Sequence, residues 1–149
     1  MKKYNLLILS VLLLFACGKY EEGPNFSLRT KKARLTQEWT VSATYQNGTL
    51  VPNGTNTLTF EFNKDASFLF KATSLIDGQV QTTNRGDWEF IDKKEVLRLN
   101  FYPANSASAT QVVNIEEWEI LKLTINEFIV TYIDKSSGDK IRIEFLKFG

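Results

Sequence analysis

Hydrophobic side chains alternate with polar ones along most of the chain from residue 37 to its end. Leu58, Phe60 and Phe62 show this period of two, and similar runs recur at short intervals. The pattern is typical of strands with one buried and one solvated face. It predicts eight strands, over residues 39–45, 57–63, 67–72, 80–91, 97–102, 111–123, 128–133 and 141–145.

The segments between these strands are short and carry turn residues. Asn47-Gly48, Asp77-Gly78 and the run from Ser136 to Asp139 are examples. Short turns favour antiparallel pairing of sequence neighbours, and the chain has no long helical period for parallel crossovers. The hydrophobic phase slips after Ile120, which predicts a β-bulge or a strand end there.

Eight antiparallel strands with one apolar face can close into a barrel or fold into a sandwich. Short sequential hairpins favour the barrel, so we predict an all-β, single antiparallel eight-stranded up-and-down β-barrel. A short helical turn, capped by Thr30 and running through Leu35, is predicted to precede it. The segment from Pro103 to Ala109 is the longest featureless loop and is predicted to be a mobile lid.

Composition narrows the chemistry of this 149-residue chain. It has no histidine, one cysteine and a formal net charge of +1. These counts remove histidine-dependent catalysis, the usual zinc sites and an intramolecular disulfide, and they argue against nucleic-acid binding. The acidic pairs Glu117/Glu119 and Asp87/Glu89 alternate with aromatic residues, which favours a solvent-facing role. We therefore expect no enzyme, no cofactor and no metal site.

The amino terminus has the features of an export signal. Lys2 and Lys3 precede an apolar run, Leu6–Phe15, that is too short to span a bilayer. The following Leu14-Phe15-Ala16-Cys17 resembles a bacterial lipobox. The resemblance implies a signal peptide at residues 1–16, lipid attachment at Cys17 and a flexible tether at 17–34. The expected location is the bacterial outer membrane, lipid-anchored, either periplasmic or surface-exposed.

The end of the tether carries a basic cluster of Arg29, Lys31, Lys32 and Arg34. These side chains are expected on the exposed sides of the helical turn. Two interpretations stay open, contact with anionic lipid head groups or a solvated last turn before the domain.

Several motifs point to a family. Phe60-Glu61-Phe62 before the Asn63–Ala66 turn, Gly86–Phe90 and Trp118–Leu123, together with the tether and Trp39, resemble the lipocalin-like domain of small bacterial envelope lipoproteins. The resemblance implies a barrel domain over residues 35–149. True lipocalins open their first strand with Gly-x-Trp, of which Gln37-Glu38-Trp39 keeps only the tryptophan.

Aromatic residues on the apolar face form the candidate lining of a ligand site. They are Trp39, Phe60, Phe62, Phe68, Phe70, Trp88, Phe90, Phe101, Trp118, Phe128 and Tyr132. One hypothesis is that the barrel of a monomer, held on the membrane through Cys17, binds a small hydrophobic molecule. The alternative is a surface interaction or structural module whose barrel is filled by these side chains.

Overall fold

The computed structural model describes residues 29–103 and 111–149. The predicted signal peptide, the lipid site at Cys17 and most of the tether lie outside the described residues. So does all of the predicted lid after Pro103.

The described chain consists of nine strands, one short α-helix and one 3₁₀ turn, Asp92–Lys94. The elements are α1 (Lys31–Leu35), β1 (Glu38–Gln46), β2 (Thr49–Val51), β3 (Asn56–Phe62), β4 (Ser67–Ser74), β5 (Val80–Ile91), β6 (Val96–Tyr102), β7 (Asn114–Leu123), β8 (Glu127–Ile133) and β9 (Lys140–Lys147).

Eight of these strands form a closed antiparallel barrel, as predicted. The pairing order runs from β1 to β3 and then sequentially to β9, which pairs back onto β1. Pairs such as Trp39 with Phe60 and Val41 with Phe145 place the large apolar side chains inside. The sandwich alternative is excluded by the β1–β9 pairing.

The prediction of eight strands missed β2, a three-residue strand that pairs with the end of β1. Asn47 and Gly48 both have positive φ, so they form a tight hairpin turn that brings Thr49–Val51 back along β1. All three β2 residues are exposed, and they therefore lack the alternation that marks a half-buried strand.

The predicted helical turn closes one end of the barrel, hereafter the closed end. Thr30 Oγ1 accepts from Ala33 N at 3.1 Å, which confirms the cap. Leu35 is fully buried, and its carbonyl accepts from Trp39 Nε1 at 2.9 Å. The expected exposure of Arg34 was wrong, since it is only 7% exposed. A five-residue helix packed on the barrel buries one side, and Arg34 lies on it beside Leu35.

Of the two alternatives predicted for the phase slip after Ile120, a β-bulge or a strand end, the structure shows the β-bulge, since β7 continues to Leu123. The register between β7 and β8 shifts between Ile120 and Lys122. On the side of the bulge away from α1, the last pair between β7 and β8 is Glu119 with Thr131, although both strands continue past it. Beyond this pair β7 stays paired with β6, and β8 with β9. The two neighbours therefore separate toward the end of the barrel opposite α1, hereafter the open end.

Candidate functional site

The predicted lining residues lie in or against a single core. Seven of them are buried: Trp39, Phe60, Phe62, Phe68, Trp88, Trp118 and Phe128. The other four, Phe70, Phe90, Phe101 and Tyr132, are partly buried and pack against that core. The structure thus brings together the whole predicted set, while ligand contact by these residues stays a prediction.

The buried aromatic rings contact one another across the middle of the barrel. Phe60 lies 5.3 Å from Trp118 and 5.7 Å from Phe145 between ring centroids. Phe62 lies 6.2 Å from both Trp88 and Phe128. Rings at these separations are in packing contact. The centre of the barrel is therefore occupied by its own side chains, and space for a ligand has to be sought at its ends.

A cleft of about 540 Å³ lies where β7 and β8 separate. Its walls are the first residues of β7, Asn114–Glu117, and the segment Tyr132–Ser136 at the end of β8. Lys135 reaches across the gap, and its Nζ donates to Ile115 O at 3.1 Å. The volume falls within the 300–1,000 Å³ range of small-molecule sites.

Glu116 is an acidic side chain on the inner face of the barrel. It pairs with the fully buried Leu99 on β6 and lies two residues before Trp118. Trp118 Nε1 donates to Glu116 Oε2 at 2.9 Å, and Asn114 Nδ2 donates to Oε1 at 3.1 Å. Burial raises the pKa of the Glu116 carboxyl above its usual 4.5, although both hydrogen bonds act in the opposite direction.

An aromatic pair lies beside this carboxyl. The rings of Trp118 and Tyr132 are stacked, with centroids 5.8 Å apart and planes 20° from parallel. Tyr132 also lines the cleft. Burial, followed by the charges of Glu116 and Asp134, raises the pKa of the Tyr132 phenol to about 12. Tyr132 therefore remains a neutral hydrogen-bonding group at physiological pH.

The turn after β8 adds charge to the rim of the cleft. Asp134 accepts from the backbone N and the Oγ of Ser136, at 2.8 and 2.7 Å. These bonds lower the pKa of Asp134, which is thus ionised at neutral pH. Glu117, on the outer face of β7, accepts from Arg98 Nη2 at 2.9 Å. The cleft contains more acidic than basic side chains.

Exposed apolar side chains surround the open end. Ile76, in the turn after β4, is 82% exposed, and Ile115 and Ile133 flank the cleft. We call the exposed set at this end the apolar rim; its members are Leu50, Val51, Leu75, Ile76, Val80, Val112, Val113, Ile115 and Ile133. Exposed apolar groups concentrated at one end are typical of a contact surface or a ligand entrance.

Sequence reasoning missed Glu116 as a site residue. The signal was present, because period two from the predicted core residue Trp118 places Glu116 on the same face. The solvent-facing prediction is confirmed for Glu89, Glu117 and Glu119, which are exposed, whereas Asp87 is half-buried and accepts hydrogen bonds from Asn100 and Tyr102. Arg98 bridges Glu89 and Glu117 at 2.8 and 2.9 Å, so these carboxylates face a cation on the outer wall.

Two further findings concern residues 29–103 and 111–149. There, no group of three or more cysteine, aspartate or glutamate side chains is placed to hold a metal ion. No helix in the same ranges is long and apolar enough to cross a membrane.

Comparisons with known proteins find similarity in fold. No protein-family model and no curated protein sequence matches the chain. Among solved structures it is similar to a redesigned β-barrel, with 12% identity and a TM-score of 0.49 over 83% of this chain and 100% of that one. It is also similar to bovine odorant-binding protein, solved with a selenium-containing odorant, with 11% identity and a TM-score of 0.45 over 85% of this chain and 78% of that one.

Proposed function

We propose that the protein is a non-enzymatic, lipid-anchored envelope lipoprotein that binds a small hydrophobic molecule at the open end of its barrel. The observation that supports the ligand site is the separation of β7 and β8 between the Glu119–Thr131 pair and the open end. It leaves a cleft against the Trp118–Tyr132 stack, whereas the middle of the barrel is filled by packed aromatic rings. The apolar rim favours a ligand with substantial apolar surface.

The anchor in this proposal rests on the sequence of residues 14–17, which resembles a lipobox. Replacing Cys17 with Ser removes the thiol that would carry the diacylglyceryl group. We expect the C17S protein to leave the membrane fraction on cell fractionation, since stable attachment needs the acyl chains. Retention of C17S in that fraction would contradict the anchor without bearing on the cleft.

The ligand site is tested on the C17S protein with a neutral hydrophobic fluorophore, N-phenyl-1-naphthylamine. Binding in the cleft should raise its emission saturably. Ser136 lines the cleft, and Ser137 lies next to it in the same turn but outside the lining. We therefore expect S136W to weaken binding by about ten-fold or more, because an indole fills much of the space, and S137W to retain it. Equal binding by both variants would place the fluorophore elsewhere.

The second candidate function is a protein-contact module with a filled barrel, which the apolar rim and the packed aromatic interior favour. Native mass spectrometry of C17S protein purified from its own host separates the two. A stoichiometric small-molecule adduct supports the ligand-binding proposal. A clean polypeptide mass, with no saturable fluorophore binding, favours the contact module.

A further inference from the structure

The chemistry of the cleft indicates the class of molecule that it would hold. This step rests on the proposed ligand site and concerns the head group of the ligand. The central feature is Glu116, which lies among aromatic rings at the inner end of the cleft. Its two oxygens each accept one hydrogen bond from a neutral donor, Trp118 or Asn114.

A partly buried carboxylate is stabilised by a cation, and the described part of the chain supplies none in direct contact. No ion pair joins Glu116 to a lysine or arginine within residues 29–103 and 111–149. Lys135 is the basic side chain of the cleft lining; its ammonium donates to the carbonyl of Ile115 and lowers the pKa of Glu116 only through its charge, without an ion pair. Each carboxylate oxygen retains acceptor capacity for a further donor.

The surroundings also favour a positive head group. Besides Glu116, the cleft lining includes the ionisable side chains of Glu117, Asp134, Lys135 and Tyr132. Asp134 is ionised, Glu117 is already paired with Arg98 on the outer wall, and the Tyr132 phenol is neutral at physiological pH. The Tyr132 ring, backed by Trp118, offers an aromatic face, and a cation near such a face is attracted by the ring quadrupole.

We propose that the cleft selects amphiphilic amines, in which a protonated amine contacts Glu116 and Tyr132 and an apolar body lies along the rim. A neutral molecule of the same shape would leave the carboxylate unpaired. An acid of the same shape would place a second negative charge beside it.

Three compounds with one body and different head groups test this selection: 4-phenylbutylamine, 4-phenylbutanol and 4-phenylbutanoate. Their dissociation constants are measured by calorimetry on the C17S protein at pH 7.5. We expect the amine to bind about ten-fold more tightly than the alcohol, and the acid to bind most weakly. The indole Nε1–H resonance of Trp118, which reports on the Glu116 hydrogen bond, should shift on addition of the amine.

Two variants assign the preference to Glu116. E116Q keeps an oxygen acceptor for Trp118 and removes the charge, so the amine and the alcohol should bind within about two-fold of each other. E119Q removes a carboxylate from the exposed outer face of the same strand and should keep the wild-type preference. A dispersed NMR spectrum with the Trp118 indole signal shows that each variant is folded.

The outcomes separate this inference from the site on which it rests. Equal binding of amine and alcohol to the wild-type barrel, with both blocked by S136W, overturns the amine preference and leaves the cleft as a ligand site. A preference that survives in E116Q overturns the role of Glu116. Binding of none of the compounds, together with no fluorophore binding, contradicts both proposals.

Discussion

At the scale of single residues, Glu116 shows how one polar side chain can be accommodated in an aromatic barrel. Its neighbours on the inner face are Leu99 and Trp118, both fully buried or nearly so. The carboxyl is kept there by donors from Trp118 and Asn114, and burial raises its pKa. A group whose folded pKa is raised contributes most to stability below its ordinary value, and that contribution is lost as pH rises through the raised pKa.

The first prediction is that E116Q stabilises the protein at neutral pH but not in acid. At pH 7 the wild type has an ionised, partly desolvated carboxylate, whereas the amide is neutral. The exposed Asn114 can turn its own amide to accept from the new NH₂ group. We expect E116Q to have the higher melting temperature at pH 7 and the difference to vanish at or below pH 4.5, the ordinary glutamate value.

Thermal unfolding followed by circular dichroism between pH 4 and pH 8 measures this difference, with E119Q as the control. The outer-face variant should track the wild type across the range. If E116Q were less stable than the wild type by the same amount at every pH, its effect would come from lost hydrogen bonding. The charge argument would then be wrong.

Gly86 is a glycine inside a strand, a position for which the sequence alone gives no reason and the structure does. It faces inward between Phe68 on β4 and Phe101 on β6. A Cβ added there would lie 1.9 Å from Asn100 O and 2.6 Å from the Phe68 ring. The backbone oxygen belongs to a paired strand and has little freedom to move.

The second prediction is therefore that G86A destabilises the fold by about 3 kcal/mol or more, the upper part of the range for overpacked sites. Urea unfolding monitored by tryptophan fluorescence measures the loss. Gly149→Ala is the control, since nothing lies within 4 Å of the added methyl. A loss below about 1 kcal/mol for G86A would mean that β5 and β6 separate easily at this point.

At the scale of elements, the local alternation of hydrophobic and polar residues is sufficient to predict a strand that has one buried face. The range of β5 was predicted from alternation and its flanking turns, and the bulge in β7 from a phase slip. The β2 strand and the gap between β7 and β8 were not predicted. The first lacks a buried face, and the second depends on which residues pair across strands, which a single strand's pattern does not encode.

In the candidate site, too, the features set by the pattern of a single strand were predicted, and those set by pairing between strands were not. The aromatic set was identified because every member lies on an apolar face. The cleft was not, because it arises where two strands stop pairing while each continues along its other neighbour. Glu116 could have been predicted from its period with Trp118, but its proximity to Tyr132 depends on the register between β7 and β8.

The third prediction concerns hydrogen exchange along β7. Ile120 N donates to Glu95 O, so the backbone groups of Glu116 and Trp118 also point toward β6, and those of Ile115 and Glu117 point toward β8. Between Glu119 and the open end, β8 is no longer paired with β7, so the amides of Ile115 and Glu117 have no partner strand on that side. We expect them to exchange about ten-fold or more faster than the amides of Glu116 and Trp118.

Residue-resolved exchange measured by NMR provides an internal control for this prediction. Glu119 has the same orientation as Glu117 but pairs with Thr131, so its amide should exchange slowly. Equal protection of all four amides from Ile115 to Trp118 would show that the gap is closed in solution. The cleft would then be lost as a ligand site.

At the scale of the whole molecule, the two ends of the barrel differ in chemistry. The open end has the cleft and the apolar rim. The closed end presents lysines on α1 and on the two neighbouring turns, and Lys31 Nζ donates to Lys94 O at 2.9 Å to join α1 to the 3₁₀ turn. If Cys17 is lipidated, the twelve residues that lead to Arg29 can span at most about 40 Å, and they reach the barrel at its closed end.

The last prediction is that the anchored protein holds its closed end toward the bilayer and its cleft away from it. The strands of seven to nine residues add roughly 25 Å between the two ends. Lysines near an anionic surface contribute about 1 kcal/mol each, which favours the same orientation. A fluorophore is placed on K94C at the closed end or on S137C at the open end of the lipidated protein, in phosphatidylglycerol vesicles with a head-group quencher.

Quenching should be several-fold stronger at position 94 than at position 137, and it should weaken at high salt without changing this order, because the tether still limits the distance. The same labels on C17S protein mixed with neutral phosphatidylcholine vesicles should show no quenching. Stronger quenching at position 137 would mean that the apolar rim, rather than the basic end, contacts the lipid. In that orientation the cleft would open toward the bilayer, and its hydrophobic ligand would have to enter from the membrane instead of from the aqueous phase.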